Sequence, residues 1–212
     1  AGMMAAITAS AQGEKVLLLE KSDKLGRKIL ISGNGRCNVT NLDSDSITHY
    51  HGAPPAFLRS VLGHMPLQET LAFFKDLGVE VHEEKRGRLF PRSNQAQSIV
   101  DVLEDRLILQ GVDLCLGAEV VYVRREDDAF AVKKADGTLF SADRLIIASG
   151  GISAPKLGAD RAIMDLVCAM GHETTPLLPG LVALESSAAY LERMQGVKLV
   201  AAVEVRLPGR GR

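Results

Sequence analysis

The chain contains no tryptophan, and aromatic residues make up 4% of its 212 positions. A flat ligand would therefore rest on backbone and aliphatic groups rather than on stacked rings. An excess of either charge is also missing. The 25 Lys and Arg residues are set against 26 Asp and Glu, leaving a net charge of −1. That balance offers no global attraction to nucleic acid or to an acidic membrane, so neither is expected as a partner. Cysteine is scarce. Cys37, Cys115 and Cys168 form no CxxC pair and no disulfide framework, which fits a reducing compartment and an expected cytoplasmic location. No stretch approaches the roughly 18 apolar residues that span a bilayer. Residues 1–13 lack the basic start and cleavage site of a secretory signal. His49 and His51 lie close together, but no further His, Cys or carboxylate is spaced to complete a site, so no metal is expected.

An apolar content of 46% is ample for a core. The most distinctive stretch is residues 32–41, SGNGRCNVTN, preceded by LGRKILI at 25–31. Gly26, Gly33 and Gly35 permit positive φ or close approach of a ligand. Arg27, Lys28 and Arg36 supply positive charge, and Ser32, Asn34 and Asn38 supply short hydrogen-bonding side chains. Such a loop suits a flat, phosphate-bearing ligand held largely by backbone amides. A solvated Gly/Asn turn has the same local composition.

Residues 3–12 are rich in Ala and Met and predict a helix closed by Gly13. Residues 15–20, KVLLLE, predict a parallel strand buried on both faces. Helix, tight turn and strand make the back half of a βαβ unit whose first strand is missing. In a dinucleotide-binding unit, glycines before the helix let a pyrophosphate reach its N-terminus. An acid about 20 residues on binds the ribose hydroxyls. Gly2 could be the last such glycine and Glu20 that acid; Glu20 could also be a solvated strand-end carboxylate.

A helix is expected at 66–77, with Leu67, Leu71, Phe74 and Leu77 as its core stripe, then a strand at 79–82. Residues 83–92, EEKRGRLFPR, read as a solvated hairpin, although Arg86, Arg88 and Arg92 could meet an anion. A helix capped by Ser93 spans 93–110 and ends at Gly111, before a strand at 112–116. Runs at 119–124, 129–134 and 138–141, with an Asp136-Gly137 turn, predict an antiparallel meander inserted in the α/β frame. Residues 145–148 predict a short strand running into Ser149, Gly150 and Gly151. That is where α/β sheets place ligands, though an ordinary strand exit looks the same. A helix follows at 162–170, with Cys168 read as core. Pro176 and Pro179 mark a boundary, giving one domain over 1–178 and the start of a second, mainly β domain over 179–212, with strands at 181–184 and 197–205.

The strings AGMMAAITAS, VLLLEK, LGRKILISGNGRCNVTN, LFPRSNQAQSIVDVL and DRLIIASGG, followed by APKLG, occur in order. Together they resemble the HI0933-like family of bacterial flavoproteins, the BaiN/YhiN-type NAD(P)/FAD-dependent oxidoreductases. The resemblance implies an FAD-binding Rossmann-like parallel sheet with an inserted meander, of the two-dinucleotide-binding-domain flavoprotein type. It implies that Gly2 lies at the pyrophosphate turn, that Glu20 holds the adenosine ribose with Lys21 beside it, and that the backbone of Val120 meets the adenine. Gly26, Arg27 and Lys28 would approach the pyrophosphate and ribityl chain. Ser32, Gly33, Asn34, Gly35, Arg36, Cys37 and Asn38 would line the flavin side, and Ser149, Gly150 and Gly151 the strand end near the cofactor.

The implied activity is hydride transfer from NAD(P)H through FAD to a small organic acceptor. No side chain stands out as acid or base. Cys37 is read as structural, although Arg27, Lys28 and Arg36 would favour its thiolate. Members of the family are longer, with an opening strand, a GGGxAG-type turn and a second domain. After PKLG they often carry a GSTGDGY-type stretch, which residues 158–164 lack. The chain thus reads as a fragment with little activity alone. The alternatives are a non-catalytic remnant with weak FAD binding, or an FAD-dependent RNA-modifying enzyme.

Overall fold

Alanine and methionine open the chain and form helix α1, Gly2–Ala11, which buries Met3, Ala6 and Ile7 on one face. Gly13 turns at φ +87°, and the chain returns as strand β1, Leu17–Leu19. The computed structural model describes residues 1–158, 160–178, 180, 185, 186, 188–197, 202 and 204. Helix α2, Arg27–Ile31, and strand β2, Thr40–Asn41, flank the SGNGRCN loop. Helix α3, Pro55–Gly63, starts on a proline whose missing N–H costs the first turn nothing. Helix α4, Leu67–Asp76, leads to the hairpin of β3, Val81–Glu84, and β4, Arg88–Pro91. Helix α5, Ala96–Leu109, and strand β5, Asp113–Cys115, come next. The meander is β6, Val120–Glu126, β7, Ala129–Lys134, and β8, Leu139–Ala142. Helix α6, Ala162–Ala169, closes this part of the chain.

β1 pairs in parallel with β5, Leu18 opposite Leu114. β2, β4 and β3 form a second, antiparallel sheet, and β6, β7 and β8 a third. The core forms on α5, which buries Ala96, Ile99, Val100, Leu103 and Leu107 at helical spacing. Met3, Ala6 and Ile7 of α1 join Leu25, Cys37, Val79 and Val112 in the same cluster. The chain divides into two compact units, Ala1–Thr174 and Thr175–Arg212. All the strands and helices named above lie in the first; the second contains a 3-10 turn at Ala189–Met194.

Helix α1, the α/β frame and the inserted meander match the sequence expectation. Several local readings do not. Residues 145–148 form no strand, because no described strand lies beside them to complete a ladder; Ile146 is 66% exposed. β1 is not buried on both faces. β5 is its one described partner, and Leu17 faces outward. Ser93 does not cap α5. Its hydroxyl oxygen accepts from the Gln95 N–H at 3.3 Å, and the helix begins three residues later, at Ala96. The 83–92 hairpin is not simply solvated, since Leu89, Phe90 and Pro91 are buried in β4. Cys168 is exposed rather than core. The strands expected at 181–184 and over most of 197–205 fall outside the described residues.

Candidate functional site

The 26–38 stretch is built on its neighbours. Gly26 caps α2 at φ +71°, and a Cβ there would lie 2.6 Å from Val100 Cγ2. Close helix packing alone therefore accounts for this glycine. Beyond α2, Gly33, Asn34, Gly35 and Cys37 have φ of 56°, 58°, 81° and 61°. A run so rich in left-handed residues must be held from outside. At Gly33 a Cβ would meet Asn38 N at 2.7 Å and Phe90 Cε1 at 2.8 Å. Arg36 stacks 4.3 Å above the Phe90 ring and donates through both terminal nitrogens to the Glu84 carboxylate, at 2.5 and 3.2 Å. The Arg36 guanidinium holds the Glu84 carboxyl below its ordinary pKa. Asn38, with its amide turned to donate, reaches the Thr40 and Leu89 carbonyls. Burial pushes the Cys37 thiol up, against a weaker opposing effect of the Ser32 hydroxyl. The thiolate suggested by the nearby basic residues is thus not what the fold favours. Arg36 is committed to Glu84, and Cys37 is buried.

At the C-terminal end of β1, Glu20 accepts the Ser22 N–H through Oε1 at 2.8 Å, and its second oxygen has no partner among the described residues. The Glu20 carbonyl accepts the Ala118 N–H at 2.8 Å, which brings the start of β6 and Val120 beside it. Lys21 bridges Glu119 at 2.8 Å and Asp160 at 2.9 Å. These carboxylates, Glu119 foremost, raise its pKa.

Residues far apart in sequence meet at the other side. Lys28 Nζ donates to the Ser149 carbonyl at 3.0 Å. A Cβ on Gly150, which sits at φ +82°, would lie 2.5 Å from that nitrogen. Gly2 begins α1, and a Cβ there would sit in ordinary contact with Leu18 at 3.5 Å and Ala148 at 3.7 Å. A cleft of about 410 Å³ runs from Ala1 along Ser149 and Gly150 to Ile163, Met164 and Val167 of α6. Gly151 is exposed just past the turn.

The sequence-predicted residues thus fall into two groups. Ser149 and Gly150 line the cleft, with Lys28 bonded to their turn and Gly2 following Ala1 at its rim; Gly26, Gly33, Arg36, Cys37 and Asn38 shape and hold the loop. Arg27 is exposed, with a 3.4 Å contact to the Ser22 hydroxyl. Sequence reasoning missed Glu84, Phe90 and Val100 as supports. The apolar LFP run in a charged hairpin was the available signal for Phe90. For Glu84 there was none, because its partner is 48 residues away.

A helix N-terminus, a free carboxylate oxygen at a parallel strand end and a glycine turn beside a cation suit a diphosphate and ribose hydroxyls. The fold is that of a Rossmann-type α/β unit with an inserted antiparallel meander. A model of the HI0933-like protein Rossmann domain matches residues 1–205, and the chain belongs to that family. It is 38% identical over 208 residues to 3-dehydro-bile acid delta(4,6)-reductase of Clostridium scindens, an overlap of 97% of this chain and 50% of that protein. Ribosomal RNA dihydrouridine synthase of Escherichia coli is 34% identical over 205 residues, covering 97% of this chain and 50% of its own length. The Haemophilus influenzae protein of the same name is 29% identical over 204 residues, with 94% and 50% covered. The chain spans about half the length of these curated relatives. No described helix is long and apolar enough to cross a membrane.

Proposed function

We propose that this chain holds FAD in an oxidoreductase that passes hydride from NAD(P)H to an organic acceptor with an activated carbon–carbon double bond. The observation that carries the reading is the cleft that the α1 start shares with the Ser149–Gly150 turn, in a chain of this family. FAD, when bound, would supply the two-electron chemistry. The chain's own residues bind and orient. The α1 N-terminus and Gly2 admit the pyrophosphate, and Arg27 and Lys28 offset its charge. Glu20 accepts from ribose hydroxyls through its second carboxylate oxygen. Val120 presents backbone to the adenine. The acceptor class comes from the relatives: a delta(4,6)-reductase and a synthase of dihydrouridine both add hydrogen across such a bond.

The test is titration of the purified chain with FAD, then anaerobic addition of NADPH or NADH. Stoichiometric flavin that bleaches supports the reading. FAD that fails to bind at high micromolar concentration overturns it. A second reading takes uridine in ribosomal RNA as the acceptor and is favoured by the names of two relatives. It requires binding to ribosomal RNA that weakens steeply with salt; salt-independent or absent binding sinks it.

A further inference from the structure

We infer that Lys28 is a positioning residue: its ammonium clasps the Ser149–Gly150 turn onto α2 and so fixes one wall of the dinucleotide cleft. Three observations converge on it. Lys28 Nζ donates to the Ser149 carbonyl at 3.0 Å across 121 residues of sequence. Gly150 lies against the same nitrogen so closely that a Cβ would stand 2.5 Å from it. No described carboxylate competes for Lys28, whereas the neighbouring Lys21 and Arg36 are each paired with acids.

The clasp matters because the turn has little else to hold it. Residues 145–148 make no ladder, and Ser149, Gly150 and Gly151 are all exposed. Gly150 is also a residue whose backbone gains most freedom when released. An ammonium has three donors. With one on Ser149, the others remain available to a ligand oxygen, so one side chain can both order the wall and meet an anion. Lysine's flexible stem reaches this carbonyl from a short helix, and its compact head fits against a glycine where a side chain would not. The consequence for ligand affinity rests on the FAD reading above; the clasp itself does not.

The experiment uses the full chain and the variants K28M and K28R. Backbone ¹⁵N order parameters for Gly150 and Gly151 are measured without ligand, and FAD affinity by flavin fluorescence. In the parent chain Gly150 should approach the rigid value of about 0.85. In K28M it should fall below about 0.6, while α5 amides stay unchanged. K28R, which keeps the charge and a donor, should restore most of the order. FAD affinity should drop roughly tenfold in K28M, the size expected for one hydrogen bond to a charged group, and recover in K28R. Unchanged Gly150 order in K28M overturns the clasp. Lost order with undiminished FAD affinity overturns its role in the cleft wall. If the parent chain binds no FAD but K28M still frees Gly150, the cofactor reading fails and the clasp stands.

Discussion

At Gly33 the chain tolerates no side chain. The φ of +56° and contacts of 2.7 and 2.8 Å from a Cβ to Asn38 N and Phe90 act together. One contact is backbone and the other a ring that is 1% exposed, so neither can give way cheaply. G33A should cost roughly 2–4 kcal/mol in urea unfolding, the sum of backbone strain and overpacking. A loss below about 1 kcal/mol would mean that the loop shifts freely. Cys37 supplies an independent probe of the same loop. Its thiol is buried and its pKa is pushed up, so it should react with a thiol reagent at pH 8 much more slowly than the exposed Cys168. E84Q removes the charge that anchors Arg36 and should speed Cys37 modification severalfold without unfolding the chain. An unchanged rate would show that Phe90 stacking alone holds the loop. These residues also mark the limit of sequence reading. The left-handed glycines and the unusual SGNGRCN string were legible. The use of Arg36 was not, because an arginine facing a phosphate and one facing a glutamate 48 residues on look alike in sequence.

Among the elements, those whose signals are local were legible. Helix α1 with its glycine stop, helix α4 and the meander all stand close to where composition put them, although of the expected α4 stripe Leu67 alone is fully buried. Elements that depend on partners were not. Residues 145–148 have a strand's composition but no ladder among the described residues. β2 exists only because Thr40 and Asn41 pair with Leu89 and Arg88. The β7–β8 hairpin is stabilised by its own turn. Asp136 accepts the Thr138 N–H at 2.9 Å and pairs with Lys134 at 2.9 Å, which holds its carboxyl well below the usual range. Folding lowers this pKa, so the contribution is fully present above the unfolded value of about 3.9 and is lost progressively as pH falls below it. The melting temperature should therefore decline below about pH 4 more steeply in the parent chain than in D136N. Parallel declines would place the acid sensitivity elsewhere. Gly26 gives a second test at this scale. G26A should destabilise through its 2.6 Å clash with Val100, and V100A in the same chain should relieve part of that loss.

For the whole molecule, the bet is that one ligand joins segments that otherwise touch lightly. The start of α1, Glu20 at the end of β1, Lys28 on α2 and the Ser149–Gly150 turn come from four regions of sequence, and the hydrogen bond from Lys28 to the Ser149 carbonyl joins two of them. A dinucleotide lying along them would be bound by the native chain alone, and so would stabilise it by mass action. At a concentration near 100 times its dissociation constant, the gain is about 2.7 kcal/mol. For a unit of this size that amounts to a rise of roughly 5–10 °C in melting temperature. FAD should produce this shift. ADP, which on the proposed reading would engage Glu20 and Val120 without reaching the SGNGRCN loop, should produce less of it. E20A should reduce both shifts, because the ribose hydroxyls would lose their acceptor, while leaving the unliganded melting temperature nearly unchanged: Glu20 is half-buried and, among the described residues, its carboxylate holds just the Ser22 N–H. If E20A lowers the unliganded melting temperature by as much as it lowers the FAD shift, Glu20 is a structural cap for the β1 turn. The adenosine end of the cleft would then have to be sought elsewhere.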